Sequence, residues 1–171
     1  MAVEEIREAQ DKYIETITKD PTKGRSKNAP ATATLQDGLK LRVTGPRGEL
    51  VETDMPSLVG GTASGPAPSW LMRAGLASCT ASTIAMRAAR LGVVLDTLEV
   101  TVESESDYRG FLGVDDSVSA ALMGLRTRVR ISAKGVDDEQ LREIARWGDE
   151  HSPVACTLRE TKNMPLDVEV I

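Results

Sequence analysis

Two cysteines are the residues of this chain best suited to covalent chemistry. Cys79 lies in the run 71–86, which is rich in alanine, serine and threonine, and Cys156 lies far from it in the run 151–158. A cysteine attacks other molecules as a thiolate, whereas a free thiol, with a pKa of about 8.5, is mostly protonated at neutral pH. Cys79 is therefore either an apolar filler of the core or a nucleophile held in a tight pocket.

A nucleophilic Cys79 needs a nearby positive charge that lowers the pKa of its thiol. It would lie about ten residues into a helix, beyond the first turn in which the helix dipole acts. Arg73 and Arg87 are six and eight residues away along the same helix. At a rise of about 1.5 Å per residue, both are too far along the axis to touch the sulfur. The activating group must therefore come from another element or from another subunit.

The remaining candidate ligand is His151, the only histidine of the chain. Its place predicts that it ends a helix and bonds to carbonyl groups rather than acting as a base. Together with Cys79 and Cys156 it gives too few ligands at recognisable spacing for a metal site, and no cofactor is expected. Cys156 is interpreted either as a second redox thiol or as a plain buried cysteine.

Length and charge limit the classes of function. A chain of 171 residues is expected to form one domain with its own core. The formal charge of −5 argues against a nucleic-acid binder that relies on basicity. No apolar signal segment is evident at the start, and the uncharged helical window 74–86 is too short to span a bilayer. We expect a cytoplasmic protein with reduced or redox-active thiols and with neither nucleic acid nor membrane as a partner.

The elements that must position the cysteines begin with a helix and a strand meander. Residues 3–18 place apolar side chains at helical spacing among charged ones, and the polar segment 19–30 is interpreted as a linker. Strand composition follows at 32–35, 39–44 and 49–53. A loop rich in glycine, serine and proline then covers 56–68, and such a loop inside a compact domain is usually functional.

The second half of the chain predicts one long helix and then strands and a shorter helix. The long helix begins at Pro68 or Ser69 and ends near residue 91, just before Gly92. Alternation predicts strands over 97–103 and 125–133.

After the second of these strands, Asp137 is expected to cap a helix over 138–149, and 165–171 to close the chain as a strand. The order predicts an α+β fold with antiparallel strands and helices on one face. The second strand carries a row of arginines on one face: Arg126, Arg128 and Arg130. This row is interpreted as a solvated face, as an anion site or as a partner for acids on another strand.

Two motifs resemble those of the OsmC/Ohr family. The run 60–80 has a Gly-Gly loop, a proline eleven residues before Cys79, and the pattern Leu-x-x-Ala-x-x-Ala-x-Cys. The run 151–158 is similar to the family's second motif, in which Cys-Pro-Val follows a helix. The resemblance covers residues 31–171 as an OsmC-like domain and leaves 1–30, the amphipathic helix and linker, as an addition. It implies an OsmC-like fold with a long central helix in an intertwined homodimer.

The resemblance also implies a mechanism. Family members of this kind are thiol-dependent peroxidases that act on organic hydroperoxides at the subunit interface, and Cys79 matches the position of their nucleophile. A second cysteine condenses with the oxidised thiol, and an external thiol reductant regenerates the enzyme. An arginine from the early strands lowers the pKa of the first thiol. Arg42 is the candidate here, with Arg47 next.

Two positions depart from the family pattern. Ser69 follows the loop proline, where the family has a glutamate that orients the arginine, and Ser152 stands where the family has its resolving cysteine. If 152–158 is helical, Cys156 lies about one turn, roughly 6 Å, from that position and could replace the missing thiol. The alternative is a non-catalytic protein of this fold that binds a small apolar molecule or is purely structural.

Overall fold

The computed structural model describes residues 2–160 and 164–170 and contains five α-helices and five strands within them, besides two short 3-10 helices. In chain order these are α1 (Val3–Lys19), β1 (Thr32–Asp37), β2 (Lys40–Thr44), β3 (Leu50–Thr53), α2 (Pro68–Arg90), β4 (Thr97–Glu105), α3 (Tyr108–Phe111), β5 (Met123–Ser132), α4 (Asp138–Glu150) and α5 (Pro153–Arg159). The mixture of helices with antiparallel strands confirms the α+β class. No helix among the described residues has the length and apolar character that a membrane crossing requires.

The chain divides into two compact units. The meander unit is Arg7–Gly75, and the hairpin unit combines Met1–Ile6 with Leu76–Ile171. The helices α1 and α2 each contribute residues to both units.

The meander unit is built on a three-stranded antiparallel sheet in the order β1-β2-β3. Its register pairs Thr32 with Thr44 and Leu41 with Thr53. The turn between β1 and β2 contains Gly38 with a φ of 56°, in the left-handed region where a side chain is strained. The strand meander predicted from the turn residues is therefore present.

The hairpin unit contains the antiparallel pair β4 and β5, in which Leu98 lies opposite Ile131 and Val100 opposite Val129. Because side chains alternate along a strand, one face of the pair is apolar. That face packs on the buried cluster formed by α2, α4 and the segment between α2 and β4, whose members are Ile84, Ala88, Val93 and Ile144. The core of this unit therefore consists of aliphatic side chains.

The ends of α4 follow the predicted capping residues. The Asp137 carboxylate accepts a hydrogen bond from the backbone N–H of Gln140 at 2.9 Å, which satisfies one of the unbonded donors of the first turn. At the other end, Nδ1 of His151 lies 2.8 Å from the carbonyl oxygen of Trp147, and the two rings stack with centroids 3.9 Å apart. His151 therefore ends the helix, as the sequence predicted.

The structure differs from the sequence-based prediction at the carboxyl end. Residues 165–170 are not a strand, and Ile171 lies outside the described residues. The alternating pattern is present there, but a strand also needs a neighbouring strand to bond with, and none of the described strands pairs with this segment. The segment between β4 and β5 contains the short helix α3, which Asp107 caps by accepting from the N–H of Arg109 at 2.9 Å.

The helices α2 and α4 approach each other at backbone distance. A Cβ built on Gly148 would lie 2.7 Å from the backbone nitrogen of Ile84, closer than real atoms approach. At the same place Oγ1 of Thr83 donates a hydrogen bond to the carbonyl oxygen of Gly148 at 2.7 Å. Only a glycine allows this contact, which holds the cysteine-bearing helix against α4.

We expect Gly148→Ala to destabilise the protein by about 2–4 kcal/mol, because the new methyl group must push α2 and α4 apart. Gly75→Ala is the matched control, since a Cβ at this helical position meets nothing within 4 Å. It should stabilise the protein by about 0.5–1 kcal/mol, the usual gain for alanine in a helix. Urea unfolding curves measure both, and equal effects of the two substitutions would contradict the close approach.

Candidate active site

Cys79 lies on α2 beside a buried stripe. The stripe has members four residues apart, which share one face of a helix and are buried: Leu76, Thr80, Ile84 and Ala88. Cys79 is a free thiol of intermediate burial. It is therefore neither sealed in the core nor fully exposed.

The turn of α2 that carries Cys79 is held through its neighbours. The hydroxyl of Thr83 lies 3.0 Å from the carbonyl oxygen of Cys79 and bonds across to Gly148. Thr80, the residue directly after Cys79, is fully buried, and its Oγ1 donates a hydrogen bond to Oγ of Ser152 at 3.3 Å. The hydroxyls of Thr80 and Thr83 therefore fix this turn of α2 against the junction of α4 and α5.

Ser152 has a structural role where the family pattern has a cysteine. Its side chain is fully buried, accepts from Thr80, and caps α5 by accepting from the backbone N–H of Ala155 at 3.4 Å. A hydroxyl oxygen can act as donor and acceptor at once, and it serves here as an N-cap. The sequence showed the substitution but not this use of the hydroxyl.

Cys156 lies on α5, so the helical conformation assumed for 152–158 is present over Pro153–Arg159. Its thiol is half-buried and free, and Sγ lies 3.1 Å from the carbonyl oxygen of Glu150, to which it donates. Its reaction with Cys79 stays a prediction.

Arg42 lies in the meander unit, on β2. Its guanidinium nitrogen Nη2 lies 3.1 Å from Oε1 of Glu52, the residue opposite it on β3. The other arginine considered, Arg47, bonds to Glu49 through Nε at 2.9 Å. In the hairpin unit, Arg87 bonds to Glu143 at 2.8 Å. Each of these arginines therefore has an acidic partner of its own.

The loop that precedes α2 is organised by one aspartate. Asp54, directly after β3, is only 2 % exposed although it is charged. Its carboxylate accepts from the N–H of Met55 at 2.7 Å and from the N–H groups of Thr62 and Ser64 at 3.0 and 3.1 Å. The hydroxyls of Thr62 and Ser64 donate to it as well, at 2.5 and 3.0 Å. These donors, with the Thr62 hydroxyl first, hold the pKa of Asp54 well below its usual range.

The glycines of this loop allow the backbone to fold on itself around Asp54. A Cβ on Gly61 would overlap the carbonyl oxygen of Met55, and one on Gly65 would lie 2.7 Å from that of Glu52. The N–H of Asp54 donates to the carbonyl oxygen of Pro66 at 3.3 Å, two residues before α2 begins. The sequence predicted a functional loop but not the role of Asp54. A single aspartate followed by a run of glycine, serine and threonine was the available signal.

No group of three or more histidine, cysteine, aspartate or glutamate side chains within the described residues is arranged to hold an ion.

Asp54→Asn tests the role of this carboxylate. Because the pKa of Asp54 is depressed in the folded state, the folded protein binds fewer protons than the unfolded one, so the stabilisation is fully present above about pH 4 and is lost as the pH falls below it. The variant should be less stable at pH 7, and the difference from the original protein should shrink toward pH 3. Urea unfolding at several pH values measures it. Asp116→Asn, at an exposed loop position, is the control, and a difference that does not change with pH would contradict the assignment.

Ser152→Ala removes the cap of α5 and the partner of the Thr80 hydroxyl. We expect a loss of about 1–2 kcal/mol in the free energy of unfolding. Thr157→Ala on the same helix is the control, because its exposed hydroxyl only bonds back to the carbonyl of Pro153. That substitution should cost less than about 0.5 kcal/mol. Thermal unfolding of the two variants side by side decides, and equal losses would count against the buried role of Ser152.

Comparison with known proteins gives consistent results. The structure is similar to an OsmC-like protein from Mycoplasma pneumoniae, with a TM-score of 0.67 and 18% identity over 79% of this chain and 89% of that one. It is also similar to an organic hydroperoxide resistance protein OsmC from Legionella pneumophila, with a TM-score of 0.59 and 19% identity over 79% and 91% of the two chains. The organic hydroperoxide resistance protein OhrB of Bacillus subtilis gives 0.52 and 23% identity over 78% and 91%.

At these identities the likeness shows the fold alone. Among curated protein sequences, none matches this chain. The family model described as OsmC-like protein matches residues 61–168, more than half of the sequence, and includes both cysteines. This chain therefore belongs to the OsmC-like protein family.

Proposed function

We propose that this protein is a thiol-dependent peroxidase that reduces organic hydroperoxides, with Cys79 as the nucleophile. The observation that carries the proposal is the half-buried free thiol of Cys79 on α2, in a chain of the OsmC-like family. Partial burial suits a thiol that a small substrate must reach while bulk solvent is limited. Two similar structures are named as organic hydroperoxide resistance proteins, which favours the same substrate class.

The proposed reaction has three steps. The Cys79 thiolate attacks one oxygen of the hydroperoxide ROOH, the O–O bond breaks, and the alkoxide leaves as the alcohol ROH after taking a proton. Cys79 becomes a sulfenic acid. The Cys156 thiol then forms a disulfide with it and water leaves. An external dithiol supplies the two electrons that return both cysteines to thiols.

Arg42 is the proposed activator of Cys79. A cation near the sulfur lowers the pKa of the thiol by favouring its charged form. The contact with Glu52 supports this role, since a carboxylate that bonds a guanidinium fixes its direction. Glu52 would thus supply the orienting acid that is missing at Ser69.

We further propose that the active protein is an intertwined homodimer in the cytoplasm, responding to oxidative stress. OsmC-family proteins are typically dimers, and Cys79 and Arg42 belong to different units of this chain. Two thiols without a disulfide suit a reducing compartment. Residues 31–171 are proposed as the OsmC-like domain and residues 1–30 as an added helix and linker.

The burial of Ser152 favours a second candidate function. Its hydroxyl is used by Thr80 and by α5, so the position at which the family pattern places a resolving thiol is purely structural here. A protein of this fold without peroxidase chemistry, which binds a small apolar molecule or only holds a dimer, is the alternative.

Titration of the purified protein with cumene hydroperoxide separates the two functions. We expect near-stoichiometric oxidation of Cys79, which mass spectrometry detects as the sulfenic acid and as the disulfide. Cys79→Ser should abolish peroxide consumption, and Cys156→Ser should leave a sulfenic acid that a dimedone probe traps. If Cys79 stays reduced at stoichiometric peroxide, the enzyme proposal is wrong and the binding role remains.

The same assay tests Arg42. Arg42→Met should slow the oxidation of Cys79 by about tenfold or more at pH 7 and move its pH profile to higher pH, since a shift of one pKa unit changes the thiolate fraction about tenfold. Arg47→Met is the matched control in the same sheet. Equal effects of both substitutions would remove Arg42 from the site.

A further inference from the structure

Gly75 is the only glycine of α2, and it lies one turn before Cys79 on the same helix. Four residues of an α-helix correspond to about 6 Å along its axis and to slightly more than one turn, so the two positions share one face. Side chains of a helix lean toward its amino-terminal end and cover the turn that precedes their own Cα. The side chain of Cys79 therefore extends toward the turn that contains Gly75.

The backbone of α2 does not require a glycine at this position. Gly75 is not among the glycines with a positive φ, and it lies inside the helix rather than at one of its ends. A glycine inside a helix makes that helix less stable than an alanine would, because glycine loses more conformational freedom on folding. The conformation of the chain therefore gives no reason for Gly75.

Packing within the chain does not require this glycine either. A Cβ on Gly148 would collide with Ile84, so that glycine is needed where α4 meets α2. A Cβ on Gly75, in contrast, would meet no heavy atom within 4 Å. Gly75 is also exposed. Among the described residues, the space over this turn of α2 is therefore open.

The other sides of Cys79 are closed by the core. Thr80, the residue after it, is fully buried, and Leu76, three residues before it, is buried as well. Thr83, one turn after Cys79, is joined to α4 by its hydrogen bond to a backbone carbonyl. A molecule that approached the sulfur from these sides would have to displace packed residues. The turn of Gly75 is the side from which a substrate can come close.

We propose that Gly75 is a specificity-determining residue that leaves room beside the Cys79 sulfur for the organic group of a hydroperoxide. This assignment rests on the proposed peroxidase function. When the thiolate attacks one oxygen of ROOH, the group R is still attached to the other oxygen and must fit close to the sulfur. A side chain at position 75 would take up that room. Hydrogen peroxide carries no organic group and does not need it.

A glycine on a helix surface has one other use, which is to let a second backbone come close. Gly148 serves in this way between α4 and α2. A second copy of the chain could use Gly75 likewise, and the two uses predict different results for a substitution. Loss of a contact between copies would weaken association and slow the reaction with every peroxide. Loss of room for the organic group would slow only the reaction with bulky peroxides.

The rates at which hydrogen peroxide and cumene hydroperoxide oxidise Cys79 test the assignment. In Gly75→Leu, the rate with cumene hydroperoxide relative to that with hydrogen peroxide should fall by about tenfold or more. Gly75→Ala should lower the same ratio by a smaller factor, and unfolding cannot explain that loss because alanine favours the helix. Ala85→Leu, at an exposed position on another side of α2, is the matched control and should leave the ratio unchanged.

Two results of this assay would overturn the assignment. One is a ratio that does not change in Gly75→Leu. The other is an equal loss of rate with both peroxides, accompanied by weaker association of Gly75→Ala in sedimentation, because Gly75 would then serve a contact between copies.

Alkylation of Cys79 separates a failure of this assignment from a failure of the proposed function. In Cys156→Ser, Cys79 is the only cysteine, and its alkylation needs no peroxidase chemistry. Adding Gly75→Leu should slow the reaction with N-(1-pyrenyl)maleimide by about tenfold or more relative to that with the smaller iodoacetamide, whereas adding Ala85→Leu should not. If this size dependence is present and peroxide leaves Cys79 reduced, only the peroxidase proposal is wrong. If peroxide oxidises Cys79 and neither ratio depends on position 75, only the role of Gly75 is wrong.

Discussion

The close approach of α2 and α4 is the contact on which the hairpin unit depends. Gly148 lets the backbone of α4 reach Ile84, and the hydroxyl of Thr83 joins the two helices through the Gly148 carbonyl. The same hydroxyl lies within hydrogen-bond distance of the carbonyl of Cys79. The position of Cys79 is therefore set by a glycine and a threonine, neither of which has reactive chemistry of its own.

Two buried polar side chains, those of Asp54 and Ser152, hold segments of backbone in place through hydrogen bonds. Asp54 gathers the loop before α2 because its carboxylate oxygens accept several hydrogen bonds at once. Ser152 joins α5 to Thr80. Each group is buried, and burial of a polar group is tolerated because its bonds replace those to water. Polar residues thus fix the loop before α2 and the start of α5, while aliphatic residues supply the core of the hairpin unit.

In both sheets, arginines and glutamates form ion pairs between neighbouring strands. The arginines of β5 face glutamates of β4, and Arg42 faces Glu52 across β2 and β3. These pairs are exposed and each contributes little to stability. These ion pairs favour one pairing register of the strands, because an opposite charge on the neighbouring strand favours one alignment of the two strands.

The sequence by itself determined the element order, because helix spacing, strand alternation and caps such as Asp137 and His151 are local properties of the chain. It also determined the family and the place of Cys79, since both motifs lie within short runs of residues. Only the tertiary structure decided what Asp54, Thr83 and Ser152 do, as their partners are distant in sequence or depend on how a loop folds. The segment 165–170 shows the limit most clearly: its pattern is that of a strand, but a strand exists only where another strand supplies its hydrogen bonds.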